Sequence, residues 1–299
     1  MEIKNAEFVK VGNHIIPKSK GTDYNLVNGK VYDLKWDMFN GSTLTENGEL
    51  NLPTKIYEIE EDNLFKTRVL NNFNNNDKSV GVMLAGTKGT GKTMLAKIIA
   101  KESNLPIIIV DSRFPAIHLT SFFKQFTTPV CVMFDEIEKN FHTEAMLDFL
   151  DGVEKTTKKL VLMTCNKLNK VSEYLQDRCS RIRYIRRYTP TDNLAFLPML
   201  IEDKQIKNAK EVEEFIKTKF MLPSIDNINA FLNEVKELED EDISLNNIIK
   251  YMNINLNNSP SNSNNTLSAD DSIYIKSEPE ISFDDQFYEE YECEYNEAA

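Results

Sequence analysis

The chain has 299 residues, 41% of them hydrophobic and 27% charged, an ordinary globular composition with enough apolar material for a sizeable core. No window reaches the run of about 18 apolar residues of a spanning helix, and no basic segment leads into an apolar stretch near the start, so neither a membrane nor a secreted protein is expected. The net charge of −12 is concentrated: eleven acids against Lys276 put −10 after residue 256, and the −2 left for the rest disfavours bulk nucleic-acid binding.

Residues 1–51 read as a small β-rich segment of short strands and turns. Asn28-Gly29, between Tyr24–Val27 and Lys30–Leu34, is a hairpin signal, and Asn40-Gly41 and Asn47-Gly48 repeat the punctuation. From Glu58 to Phe73, Ile59, Leu64, Phe65, Val69, Leu70 and Phe73 trace a helical stripe that the Asn-rich run 71–76 ends. The pattern then changes to five short apolar runs: Val80–Leu84, Ile107–Val110, Val130–Phe134, Leu160–Thr164 and Ile182–Ile185. Continuous rather than alternating apolarity suits strands of a parallel sheet covered on both faces, with helices between them. Thr189–Leu256 reads as helical and amphipathic, with Pro190, Pro198 and Pro223 at its boundaries. Residues 257–299 open on an Asn/Ser run and turn acidic, a composition that predicts a disordered tail. The four cysteines, Cys131, Cys165, Cys179 and Cys293, form no CxxC pair and point to a reducing compartment rather than to zinc or disulfides.

Gly86-Thr87-Lys88-Gly89-Thr90-Gly91-Lys92-Thr93 fits the phosphate-loop pattern GxxxxGK[ST] at every required position, after an apolar run and before the helical stretch that Met94 opens. The glycines let backbone N–H groups curl around phosphate oxygens, and the following helix points its positive end at the same anion. Lys92 then fits the β- and γ-phosphates, and Thr93 offers a hydroxyl to Mg²⁺. Val130–Phe134 ends in Asp135 and Glu136. Two acids closing a buried strand are costly unless they face a cation or water. Asp135 fits the Mg²⁺ role, and Glu136 fits the base that polarises an attacking water.

These two motifs, with Ile137-Glu138-Lys139 after them, resemble the AAA+ ATPases, and in particular the core AAA clade. The resemblance implies a P-loop α/β core over residues 52–188, a helical lid over 189–256, ATP and Mg²⁺ as cofactors, and a homo-oligomeric, hexameric ring. It implies a water-holding sensor role for Asn166. Arg178-Cys179-Ser180-Arg181-Ile182 resembles the clade's Arg-Pro-Gly-Arg signature, which would send Arg178 and Arg181 to the γ-phosphate of a neighbouring subunit. Leu52–Tyr57 resembles the segment lining the adenine pocket, with Ile56 and Tyr57 against the base. No arginine stands in Leu222–Asp226, where other branches carry a second sensor. Asp111 occupies the place of an Asn that restrains the catalytic glutamate, and Arg113–His118 is the candidate substrate-gripping loop, with Phe114 as its aromatic but without the family's glycine. The short connections and small β-rich front look most like bacteriophage-encoded or bacterial members.

The function expected on this footing is hydrolysis of Mg-ATP coupled to remodelling of a protein partner, in the cytoplasm of a bacterium or of a phage host. A nucleic-acid motor or loader would need a basic track, and a nucleotide-gated scaffold would be expected to lack Glu136 or Arg178.

Overall fold

The continuous apolar runs become neighbouring strands of one largely parallel sheet. The computed structural model describes residues 8–11, 14–17, 24–141, 143–151, 157–241 and 243–257. Within these, β1 (Phe8–Val11) and β2 (His14–Pro17) make a two-stranded antiparallel ladder. A seven-stranded sheet is built from β3 (Lys30–Asp37), β4 (Gly41–Glu49), β5 (Val80–Ala85), β6 (Ile107–Val110), β7 (Val130–Phe134), β8 (Lys159–Cys165) and β9 (Tyr184–Arg187), in the order β4-β3-β6-β7-β8-β5-β9. Every pairing in it is parallel except β3 with β4.

Two expectations need correction. The hairpin falls at Asn40-Gly41 rather than at Asn28-Gly29. Tyr24–Val27 forms no strand; the Val27 amide donates to the Tyr32 hydroxyl at 2.9 Å, and the Gly29 amide donates to the Leu105 carbonyl. Asn28-Gly29 is thus a turn that feeds β3 into the sheet beside β6, while Asp37 accepts the Phe39 and Asn40 amides and closes the true hairpin. The β-rich segment therefore extends the main sheet by β3 and β4, with β4 at the edge. The last run is also displaced, from Ile182–Ile185 to Tyr184–Arg187, because the chain first crosses Gly81. A Cβ on Gly81 would sit 1.9 Å from the Arg181 carbonyl oxygen, and the Arg183 amide donates to the Gly81 carbonyl there.

Alternate strand residues face opposite layers. On one face Val82, Leu84, Cys131, Met133, Leu160 and Leu162 pack against Val69 and Phe73 of α1 (Glu60–Asn75) and Leu95, Ala96 and Ile99 of α2 (Lys92–Glu102). On the other face Met83, Val132, Phe134, Val161 and Met163 meet α3 (Leu119–Phe123), α4 (Ile137–Asn140), α5 (Thr143–Asp151) and α6 (Glu173–Gln176). Burial on both faces is what the unbroken hydrophobicity of these strands requires. Each fully buried Leu, Ile or Phe in these layers contributes about 1.5–3 kcal/mol relative to exposure.

The segment expected as a lid follows as α7 (Pro190–Ala195), α8 (Leu197–Lys204), α9 (Ala209–Lys219), α10 (Ile225–Glu237) and α11 (Leu245–Ile249), packed about a cluster that includes Leu197, Ile216, Ile228, Phe231 and Leu232. Thr189 starts it with a capping box: its hydroxyl accepts the Asp192 amide while the Asp192 carboxylate accepts the Thr189 amide. At its far end Leu256 bridges Phe220, and the Asn257 amide donates to the Lys219 carbonyl. The expected acidic tail, 257–299, lies outside the described residues except for Asn257. Among the described residues no helix is long and apolar enough to cross a membrane.

Candidate functional site

The order of the sheet creates the site. β5 carries the glycine loop at its C-terminal end, β7 carries the paired acids at the same end, and β8 lies between them. Parallel sheets gather such ends at one edge, where ligands bind in α/β folds.

The loop turns through Gly89 (φ 74°) and Gly91 (φ 85°), and Gly91 is the residue that precedes α2. Positive φ at Gly91 lets the loop amides and the start of the helix converge, a conformation that a side chain would strain. Thr90 is buried and its hydroxyl donates to the Thr87 carbonyl at 2.9 Å. Lys92 is buried at the base of the loop with its ammonium on the same carbonyl at 2.7 Å, and burial lowers its pKa despite the acids nearby. A buried ammonium resting on a backbone carbonyl is well placed to move to a phosphate. Lys88 is exposed on the loop, and Met94 is half-buried in the first turn of α2.

Across β8, Thr93 Oγ1 lies 3.3 Å from Asp135 Oδ1. The buried Thr164 hydroxyl donates to the same Asp135 oxygen at 2.5 Å and accepts the Glu136 amide at 2.9 Å. One hydroxyl thus fixes both acids. Glu136 adopts a left-handed backbone (φ 49°, ψ 55°), which a non-glycine residue takes at a cost of about 1–3 kcal/mol and which is commonly held at functional sites. Its Oε1 accepts Asn166 Nδ2 at 2.5 Å and its Oε2 accepts Lys139 Nζ at 2.5 Å. Lys139, and then Asn166, hold the Glu136 carboxyl below its usual range. The Asn166 backbone is held in turn by Glu138 Oε1 at 2.9 Å.

Mg²⁺ is tested by this donor set. A hydroxyl and a carboxylate 3.3 Å apart are hard oxygen donors of the kind that hold Mg²⁺ together with water and phosphate oxygens. They fit. Among the described residues no cluster of three or more His, Cys, Asp or Glu forms a separate all-protein cage.

Phosphate loop, Asp135, Glu136 and Asn166 are therefore brought together; the other sequence candidates are dispersed. Arg178 is exposed, whereas Arg181 is buried and its guanidinium donates to the Tyr174 carbonyl. Ile56 is exposed, and Tyr57 lies with the lid: its hydroxyl donates to Asp203 of α8 and its ring packs against the lid cluster. Asp111 accepts the backbone and side-chain N–H groups of Arg113, which keep its carboxyl low. Phe114 is 2% exposed in the core against Phe122, so it cannot grip a substrate in this arrangement. His118 is stacked on Trp36. At the position without an arginine, the lid touches the loop: the Ile225 amide donates to the Gly89 carbonyl, and a Cβ on Gly89 would lie 2.6 Å from Asp226 Oδ2.

Sequence reasoning missed Thr164. Its signal was a hydroxyl in an otherwise apolar run, since a buried Thr must find a partner.

Residues 82–187 match the family model described as ATPase family associated with various cellular activities (AAA). A protein of Plasmodium falciparum, provisionally named a cell division cycle ATPase, is 28% identical over 152 residues, 42% of this chain and 12% of that protein. The chain thus spans only a small part of that relative's length. Among solved structures, the Thermotoga maritima RuvB Holliday junction branch migration motor is 19% identical, with a TM-score of 0.47 over 64% of this chain and 68% of that one. An alanine-to-serine variant of RuvB aligns with a TM-score of 0.48 at 18% identity, over 65% and 69% of the two chains. Residues 82–187, which hold the phosphate loop, the paired acids, Asn166 and Arg178, thus match an AAA ATPase family model and carry the P-loop on a largely parallel sheet.

Proposed function

We propose that this chain hydrolyses Mg-ATP and couples the cycle to remodelling of a protein partner, as a cytoplasmic ring of identical subunits. The observation that carries the hydrolytic reading is the convergence on one sheet edge of the phosphate loop, the Thr93–Asp135 oxygen pair and Glu136 held by Asn166. Loop amides from Gly86 to Thr93 and the start of α2 bind the phosphates, and Lys92 exchanges the Thr87 carbonyl for the β- and γ-phosphate oxygens. Thr93 and Asp135 would hold Mg²⁺, which would supply positive charge to neutralise the phosphates. Glu136, with Oε1 set by Asn166, takes a proton from water as the water oxygen bonds to the γ-phosphorus. The bond to the β–γ bridging oxygen breaks, and ADP leaves with the electron pair.

Support for a protein partner comes from charge. The residues before 257 carry only −2 in total, and the lid presents Asp226 to the phosphate loop in place of an arginine. Neither feature suits a track for nucleic acid. Support for a ring comes from Arg178, which is exposed and so able to complete a neighbour's site. Arg181, turned inward, is assigned to shaping that loop.

Complementation tests the ring. Arg178→Ala and Lys92→Ala are each expected to be nearly inactive, the first because an arginine finger is worth about 10³–10⁵ in turnover. Mixed under conditions of subunit exchange, they should recover activity wherever an intact loop meets an intact arginine. Verified co-assembly without recovery would place Arg178 in its own subunit's chemistry.

A further inference from the structure

The hydrolytic reading gives Glu136 one task, yet both of its oxygens are engaged. Asn166 is a neutral amide on Oε1, which orients the carboxylate and leaves its charge intact. Lys139 is a full positive charge on Oε2, at 2.5 Å, from the first turn of α4. The contact follows from the local backbone. The left-handed conformation of Glu136 folds its side chain back over the turn that begins with it, and the Lys139 amide closes that turn on the Glu136 carbonyl at 3.0 Å. Three residues apart on one helical turn, the two side chains meet.

We propose that Lys139 is a positioning residue that restrains Glu136, so that water reaches Oε2 only when the ammonium swings away. The proposal rests on Glu136 being the base. Asp111, the other charged side chain whose place in the sequence suggested control of Glu136, is committed to Arg113. Lys139 is 46% exposed and Glu136 31% exposed, so the pair sits at the mouth of the site with solvent on one side. Such a pair is weak enough to open within a catalytic cycle and strong enough to lower the fraction of time the base is free. With Glu136, the negative charges of Glu138 and Asp135 act on the same ammonium and favour its charged form. Residues of Glu136's own turn thus set its availability, with no element from across the sheet required.

The measurement is steady-state ATP hydrolysis by the full chain, with binding of a fluorescent ATP analogue followed in parallel. Lys139→Met should raise kcat about two- to fivefold, the range an exposed ion pair supports, while KM and analogue affinity stay at parental values. Lys139→Gln should behave like Lys139→Met, and Lys139→Arg should return kcat to the parental level. A kcat for Lys139→Met and Lys139→Gln at or below the parent's, in variants that melt and bind the analogue like the parent, overturns the restraint. If parent and variants all bind the analogue and none hydrolyses ATP, the hydrolytic reading itself fails, and the proposal with it.

Discussion

Thr164 is the residue on which the geometry of the site converges. Its hydroxyl bonds to both acids, donating to Asp135 and accepting from the strained Glu136 amide. Replacing it with Val keeps the volume and the strand but leaves the Glu136 amide without that acceptor. An unsatisfied group of this kind costs about 1–3 kcal/mol, and 1.4 kcal/mol is a decade in rate. Thr164→Val is therefore expected to cut kcat about tenfold or more while ATP binding, which rests on the loop across the strand, changes little. Single-turnover hydrolysis measured beside nucleotide binding checks this; parental turnover would remove Thr164 from the site. The same scale shows what the sequence could and could not carry. Gly86–Thr93, Asp135 and Glu136 were legible because spacing alone limits what they can do. The role of Thr164 depends on the order of strands in the sheet, and the inward turn of Arg181 depends on the Tyr174 carbonyl, neither of which spacing records.

At the scale of elements, the joint between sheet and lid is built on a buried arginine. Arg186 of β9 is buried and makes ion pairs with Asp62 and Glu61 of α1 and with Asp192 of α7, at 2.9, 3.1 and 2.9 Å. Tyr188 donates to Asp62, and its Cβ lies 2.8 Å from where a Gly86 Cβ would stand, so the joint abuts the phosphate loop. Burial opposes ionisation of Asp192, but its bonds to Thr189 and Arg186 prevail and hold its pKa low. Asp192→Ala removes half of the capping box and one arginine partner. Hydrogen bonds to charged groups contribute about 1.5–3 kcal/mol each, and a loss of that size is expected at neutral pH. A folded pKa below the unfolded value of about 3.9 means that the contribution is complete above that value and is lost as pH falls through the folded pKa. The stability gap between parent and variant should hold from pH 7 to 5 and shrink below about pH 4. Burial pushes Asp62 the other way, so the difference between the two proteins, followed by denaturant titration, is the quantity to compare. A gap that persists at pH 3 would mean that packing, not charge, makes the joint. Strand runs and helical stripes foretold these elements closely, β6 and β7 to the residue. The slip of β9 and the displaced hairpin arose from backbone contacts at Gly81 and Gly29 with chain distant in sequence.

Across the described residues, a hairpin extends one end of a doubly covered parallel sheet, and the helical segment after Thr189 touches the phosphate loop through Ile225 and Gly89. The Asn40-Gly41 hairpin also carries the chain's most exposed aromatic among the described residues, Phe39 at 98%, while Phe114, the expected gripping residue, is packed inside. The change from strands with intervening helices to helices alone was legible because a 3.6-residue rhythm replaces short apolar runs after Thr189. That the amino-terminal strands extend the main sheet was not, because β3 joins β6 only through pairing across some 75 intervening residues, a distance that local patterning cannot see. The central claim is hydrolysis of ATP at Glu136. It is tested most directly by comparing ATP binding and turnover in the parent and Glu136→Gln, which keeps shape and hydrogen bonding and removes the base. Losing a positioned base costs about 10²–10⁴-fold. The account predicts that Glu136→Gln binds ATP as the parent does and turns it over at least a hundredfold more slowly; turnover at the parental rate would contradict it.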